Sequence, residues 1–284
     1  MELVAMKPYT FSMSEDVLSR FSSYIESNFG IKMPPSKRSL LEGRLSRRIR
    51  ALSLDSFDEY YEYLMGEGMN DEYIHFSDLV STHKTDFFRE RKHFDYLTAS
   101  GLPVLTASGA GTSRPLTLWS AGCSSGEEPY TIAMTVAEYE RTSRSIDYSI
   151  LGTDVSAHTL AKGIRGVYHG RLIDPIPPAL RERYLLRGRG DKEDLVRVVP
   201  ELRAHIRFKV LNFMDDVYDV PGPFDVIFFR NDLIYFEKET QKRIIDKLAS
   251  LLSDIGYLFI GHSESIFGMH GSLIPVAPTV YRKG

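Results

Sequence analysis

Several absences narrow the reading before any motif does. Cys123 is the only cysteine, so no internal disulfide forms and the chain fits a reducing compartment. No apolar run approaches the roughly 20 residues of a membrane span. The opening MELVAMKPYT has no basic stretch followed by an apolar one, so no secretory leader is expected and a soluble, cytoplasmic protein is. The net charge is only −3 over 284 residues, which removes the overall basic bias that nucleic-acid binding favours. A dinucleotide fingerprint G-x-G-x-x-G is missing as well.

What is present divides the chain in three. From Ser14 to Tyr73 the signals are helical. Ser14-Glu15-Asp16 is a helix start, Gly30 a stop, and Leu41, Leu45, Ile49 and Leu52 form one stripe. No alternating strand pattern occurs there, which predicts a small all-helical domain over 1–78. A connecting helix and linker follow over 79–115, the linker being the Gly/Ser/Thr-rich GLPVLTASGAGTSRP. From 116 to 284, apolar strands alternate with amphipathic helices: strands at 116–120, 148–154, 206–213, 224–231 and 257–263, and a weaker one at 276–282. This predicts an α/β fold with a doubly wound parallel sheet. The segment 187–203 breaks the pattern and reads as part of a small β subdomain inserted at about 180–205.

In such a sheet, ligands bind beyond the carboxyl ends of the strands. The first strand runs into Gly122-Cys123-Ser124-Ser125-Gly126-Glu127-Glu128. A glycine turn entering a helix suggests a phosphate cradle, yet two glutamates at that position would repel one. Acids suit a ligand carrying positive charge, and S-adenosylmethionine has a sulfonium and an ammonium and no phosphate. The alternative is that the glutamates only stabilise a helix start. Asp154, ending the second strand, is placed for ribose hydroxyls, or else caps the following helix. Asn212 and Phe213 end the third strand and suit an adenine edge and face. Polar residues from Arg230 and Asn231 to Tyr235 emerge from the very apolar VIFF of the fourth.

Together, Thr85-Asp86-Phe87-Phe88-Arg89-Glu90, Trp119 through Tyr130, Thr153-Asp154, Arg230-Asn231, Leu233 to Phe236 and Gly261-His262-Ser263-Glu264 resemble the CheR-type chemotaxis receptor (protein-glutamate) O-methyltransferases over nearly the whole chain. The resemblance implies an all-α N-terminal domain, a class I S-adenosylmethionine methyltransferase domain with a Rossmann-like sheet, and an inserted β subdomain. It implies S-adenosyl-L-methionine as cofactor, S-adenosyl-L-homocysteine as product, and methyl esters on receptor glutamates as the outcome in sensory adaptation. Carried over, His83, Thr85, Arg89, Gly122, Glu127, Glu128, Asp154, Asn212, Phe213, Arg230 and Asn231 border the cofactor, with Glu128 favoured over Glu127 at the methionine end. Arg89 and Tyr235 are the candidates for the reacting centre, and no metal is implied. His83 stands where Asn is common and Asp232 where a small apolar residue is usual; the extra acid alters the charge of the site.

Six Lys or Arg lie between Lys37 and Arg50, against Glu42 alone, and seven acids without a basic residue lie between Ala51 and Ile74. Arg44, Arg47, Arg48 and Arg50 therefore either pair with that acidic segment or form a docking face for chemoreceptor cytoplasmic helices. The inserted subdomain is a place for a receptor C-terminal peptide to add a strand. A monomer with no nucleic-acid partner and no direct membrane insertion completes the expectation. Three competing functions are weaker. A nucleic-acid amino-methylase needs Pro-Pro near Asn231, where Asp232-Leu233 stands; a dehydrogenase needs the missing glycine fingerprint; a catalytically silent cofactor-binding signalling module would not need Arg89 and Tyr235.

Overall fold

The computed structural model describes residues 11–66 and 68–284. The leaderless N-terminus expected for the first ten residues lies outside them. Two compact units divide at Ser81/Thr82.

The first unit is helical: α1 (Glu15–Phe29), α2 (Arg38–Ala51), α3 (Phe57–Met65) and α4 (Met69–Val80). Ser14 caps α1 by accepting from the Val17 N–H, and Gly30 ends it with φ 68°. Its core is aromatic, with the rings of Phe21, Tyr60 and Phe76 in a triangle whose centroids lie 5.9–6.4 Å apart. Leu41, Leu45 and Ile49 are fully buried, as the stripe predicts, whereas Leu52 lies just past the end of α2 and is half-buried.

The charged face of α2 is not uniform. Arg48 grips the Glu72 carboxylate through Nε and Nη2 (2.7–3.1 Å), and the Tyr60 hydroxyl donates to the same group at 2.6 Å. Glu72 is 1% exposed. Arg44 donates to the carbonyls of Leu79 and Val80. These two arginines hold α2 to α4, while Arg47 and Arg50 are exposed. Arg48→Ala should therefore cost about 3 kcal/mol, near the lower end for breaking a buried pair because Arg48 keeps some contact with water. Adding Glu72→Gln should restore part of the loss in urea unfolding. No change in stability in the single variant would mean the pair is solvated.

The second unit opens with α5 (Lys92–Tyr96), a π turn (Leu97–Gly101) and α6 (Leu102–Ala107) as one helical stretch. This corrects the linker expected over GLPVLTAS. Leu97, Leu102 and Leu105 are fully buried, and Pro103, which has no N–H to donate, directly follows the π turn, where the helical ladder changes register. Packing outweighs the Gly/Pro/Ser composition.

A seven-stranded sheet follows, made of β1 (Leu116–Ala121), β2 (Tyr148–Asp154), β6 (Ile206–Val210), β7 (Phe224–Phe229), β8 (Leu252–Ile260), β9 (Leu273–Ala277) and β10 (Val280–Lys283). The order is β6-β2-β1-β7-β8-β10-β9, the first five parallel and β10 antiparallel to both neighbours. Counted within this sheet alone, that is third, second, first, fourth, fifth, seventh, sixth. The weak strand expected at 276–282 covers the end of β9, a two-residue turn at 278–279 and most of β10. Helices α7 (Glu127–Thr142), α8 (Ala157–Arg165) and α11 (Lys238–Ser250) supply the crossovers. Both faces are covered at the centre of the sheet, so every residue of β7 is buried and all but Asp225 are apolar. Leu118, Ile150, Val226, Phe228 and Phe259 feed one core, and Trp119, Leu151, Ile227, Phe229 and Leu258 the other.

The insertion is a three-stranded antiparallel sheet of β3 (Val167–His169), β5 (Leu195–Val198) and β4 (Leu185–Arg187), with β5 central. Short helices α9 (Pro178–Tyr184) and α10 (Pro200–Ala204) flank β4 and β5 in sequence. It begins earlier than 180 because β3, three residues long, is too short to leave a periodic signal.

Candidate active site

Strand order reverses between β1 and β7, one leading on to β2 and β6 and the other to β8. A crevice opens at that point in doubly wound sheets. The pocket there is lined from β1 by Gly122, Ser124 and Glu128, from β2 by Asp154, and from β7 by Arg230, Asn231, Asp232, Ile234 and Tyr235. The segment before α5 closes it with Thr82, Lys84, Thr85 and Arg89.

The turn after β1 is organised against phosphate. The N–H groups of Gly122 and Cys123 both donate to the Thr153 carbonyl, that of Gly126 donates to Cys123, and that of Ser124 donates to Asp154 Oδ2 at 2.8 Å. A phosphate cradle needs such donors facing outward; these are engaged within the protein. Asp154 Oδ1 accepts from the Ser156 N–H, and Ser156, rather than Asp154, caps α8.

Arg230 is the hub. Its side chain is 2% exposed. Nε and Nη2 both reach Glu128 Oε2 (2.7 and 2.6 Å), while Nη1 donates to the Arg89 carbonyl at 2.7 Å and lies 3.3 Å from Glu90 Oε2. The guanidinium also lies over the rings of Phe94 and Phe228, 5.2 and 5.5 Å from their centroids. Ser120 Oγ donates to the other oxygen of Glu128 at 2.7 Å. Burial works to raise the Glu90 carboxyl, but the His262 N–H, the Asn231 amide and Arg230 outweigh it and hold it below its ordinary range.

His93 completes the hub. Burial foremost, then Arg230, pushes its pKa down to about 3, against an opposing pull from Glu90. The imidazole is thus neutral, Nδ1 accepting from Arg230 Nη1 (3.2 Å) and Nε2 facing Thr279 Oγ1 (2.8 Å). Glu90, His93 and His262 bring three potential metal donors within 4.8 Å of one another. The His93 nitrogens are already engaged, however, and the arginine opposes a cation. Between about pH 6.5 and 3 the unfolded chain binds a proton at His93 that the folded chain refuses, so stability falls as pH drops through that window. The slope from this one group is about 1.4 kcal/mol per pH unit. His93→Gln should flatten urea-derived stability by about that slope between pH 6.5 and 4.5, and parallel slopes would contradict the assignment.

The backbone around the pocket is strained. Phe88 (φ 52°), Glu90 (55°), Ser124 (50°) and Asn231 (64°) are left-handed non-glycine residues flanking Arg89, the β1 turn and the end of β7. Such conformations cost about 1–3 kcal/mol each and gather at functional sites. Gly122 (φ 79°) is needed for space as well, since a Cβ there would sit 1.9 Å from Asp232 Oδ2.

Of the residues expected at the site, Thr85, Arg89, Gly122, Glu128, Asp154, Arg230, Asn231 and Tyr235 line this one pocket. His83 presents its carbonyl to Ser124 Oγ and its neighbours, not itself, line the pocket. Glu127 is 4% exposed, accepts from Ser125 Oγ, and lies off the lining. Asn212 Oδ1 accepts from the Met214 N–H, and the Phe213 ring packs edge-on against Phe229 at 4.8 Å. Neither lines the pocket. Glu90, His262 and Glu264 lie within motifs that carry the resemblance but are given no role there, and His93 lies outside them; the structure joins Glu90, His93 and His262 in one cluster and has Glu264 accept from the N–H groups of Asn231 and Gly261.

Comparison with known proteins places this architecture. Residues 83–281 match the family described as "CheR methyltransferase, SAM binding domain", and residues 16–81 match "CheR methyltransferase, all-alpha domain". The "Chemotaxis protein methyltransferase" of Borreliella burgdorferi is 38% identical over 96% of this chain and 95% of its own length. That of Escherichia coli is 36% identical over 95% and 91%. "Chemotaxis protein methyltransferase 2" of Pseudomonas aeruginosa is 37% identical over 89% and 87%. The chain belongs to the CheR methyltransferase family, with a class I methyltransferase fold behind an all-α unit and S-adenosylmethionine as its cofactor.

Proposed function

We propose that this protein transfers a methyl group to glutamate side chains on the cytoplasmic helices of chemoreceptors, forming methyl esters in sensory adaptation. The observation that carries the reading is one pocket bounded by both Arg89 and Tyr235 beside the acids at the ends of β1, β2 and β7. The fit to the cofactor rests on the donor set: inward-turned N–H groups exclude a phosphate, while Asp232 Oδ2 is a buried acceptor with no partner. Thr85, Glu128 and Asp154 would border the cofactor, Asp154 on the ribose side.

When bound, the cofactor supplies a methyl group on a positively charged sulfur. The acceptor is a glutamate carboxylate with a pKa of about 4.3, ionised at neutral pH, so no residue need act as a base. The chain's task is alignment, which can contribute roughly 7–11 kcal/mol. Arg89 is held from within its own loop, Nη1 donating to the Lys84 carbonyl at 2.9 Å. Its remaining N–H groups orient the incoming carboxylate, and the Tyr235 hydroxyl donates from the other side. Too tight a grip would stabilise the ground state and slow transfer.

Arg47 and Arg50, exposed on α2, are the members of the basic face best placed to meet acidic receptor helices. The outer edges of β3 and β4 suit a receptor C-terminal peptide adding a strand. Among the described residues no helix is long and apolar enough to cross a membrane.

The test uses methyl-labelled S-adenosylmethionine with membranes bearing chemoreceptors. Label on the receptor that mild base releases as methanol is the expected result. Base-stable label would mean N-methylation and would overturn the glutamate assignment. Cofactor binding without label on any chemoreceptor would overturn the receptor as substrate.

A further inference from the structure

The pocket holds three carboxylates, and two have their oxygens engaged. Glu128 accepts from Ser120 on one oxygen and Arg230 on the other. Asp154 accepts from Ser156 and Ser124 backbone N–H groups. Asp232 differs. It lines the pocket, its Oδ2 is buried without a hydrogen-bond partner, and the atom occupies the space that a Cβ on Gly122 would fill. Arg89, the cation nearest in effect, donates to Lys84. A buried unpaired acceptor is costly, by about 1–3 kcal/mol or more for a charged group, and invites a donor from outside.

We propose that Asp232 receives the ammonium group of the cofactor's methionine moiety, the role the sequence offered to Glu128. The inference rests on this pocket being the S-adenosylmethionine site. The ammonium, not the sulfonium, is the partner because an orphaned acceptor needs an N–H, and a sulfonium has none. The acid's own state agrees. Burial first, then the charges of Asp154, Glu264 and Glu128, push the Asp232 carboxyl well above its usual range, with Arg89 opposing. An arriving ammonium favours the ionised form and relieves that penalty.

The experiment is calorimetric binding of S-adenosylmethionine, S-adenosylhomocysteine and 5′-methylthioadenosine to the full chain and to Asp232→Asn, with the melting temperature of each unliganded protein. S-adenosylhomocysteine keeps the ammonium but lacks the sulfonium, and methylthioadenosine lacks both. The variant should bind the first two about 10–100-fold more weakly, as for one charge-assisted hydrogen bond. Methylthioadenosine should bind both proteins alike, and the variant's unliganded melting temperature should be no lower than that of the parent. Unchanged affinity overturns the proposal. So does a loss confined to S-adenosylmethionine, which would make the sulfonium the partner, or a loss for all three accompanied by a lower melting temperature, which would make the role structural. Failure of the unsubstituted protein to bind any of the three would remove the pocket assignment itself.

Discussion

Replacing Arg230 with methionine should destabilise the second unit by about 3–5 kcal/mol and lower its melting temperature by about 10 °C. Methionine keeps much of the volume and removes the charge, so the effect is electrostatic rather than a cavity. Glu128 and Glu90, with side chains 11% and 13% exposed, would each lose their cationic partner. The Arg89 carbonyl and His93 Nδ1 would lose a donor. Lysine should rescue little, because a single ammonium cannot reproduce a fork that reaches Glu128, a carbonyl and an imidazole at once. Trp119 is the chain's only tryptophan, fully buried in this unit with Nε1 donating to Thr153 Oγ1, so its fluorescence in urea reports the transition directly. A loss under about 1 kcal/mol would show that water reaches the two acids and that the hub is not a buried network.

Arg89→Ala should lower kcat/KM for the protein acceptor by about 10²–10³-fold while changing cofactor affinity far less. One charge-assisted hydrogen bond to a carboxylate is worth about 1.5–3 kcal/mol, or roughly 10–100-fold. The rest comes from orientation, where misplacement of about 1 Å costs on the order of 10²-fold. The structure invests in this residue's position: left-handed backbone on either side at Phe88 and Glu90, its carbonyl fixed by Arg230, and the Phe88 N–H fixed by Thr131 Oγ1 at 3.1 Å. Arg89→Lys keeps the charge without the fork and should recover only part of the rate. Steady-state kinetics with independently measured cofactor binding decides the matter. A fall in cofactor affinity as large as the fall in kcat/KM would make Arg89 a binding residue and sink its role toward the acceptor.

How far the sequence foretold this site depends on the kind of signal. The parallel strands were legible because both faces are buried, so Val226–Phe229 reads as an unbroken apolar run. Strand ends were legible for the same reason: polar residues such as Asp154 and Arg230 stand out where such a run stops. The helix from Leu102 to Ala107, beyond the connecting helix expected up to Leu97, was not legible. The π turn before it shifts the apolar spacing, and Gly101 and Pro103 carry the composition of a loop. Partner choice was also hidden. Four arginines on α2 look equivalent in sequence, yet only the structure brings Arg48 to Glu72, 24 residues later, and leaves Arg47 and Arg50 exposed. The Glu128 carboxylate looked available until Ser120 and Arg230 were seen to engage it. Phe213 looked like an adenine cover at a strand end, and its ring is packed against Phe229.

The reach of Arg230 also bears on how the protein is made. Glu128 precedes its arginine by 102 residues, and Glu90 by 140. At about 5–20 residues per second, a growing chain carries Glu128 for roughly 5–20 s before its counter-charge exists. The Asn231 and Gly261 N–H groups in turn await Glu264, near the end of the chain. On the ribosome the pocket is therefore among the last parts to close. A chain released early would keep the all-α unit, whose pairs such as Arg48–Glu72 are all encoded before Ser81, and would lack a formed methyltransferase centre.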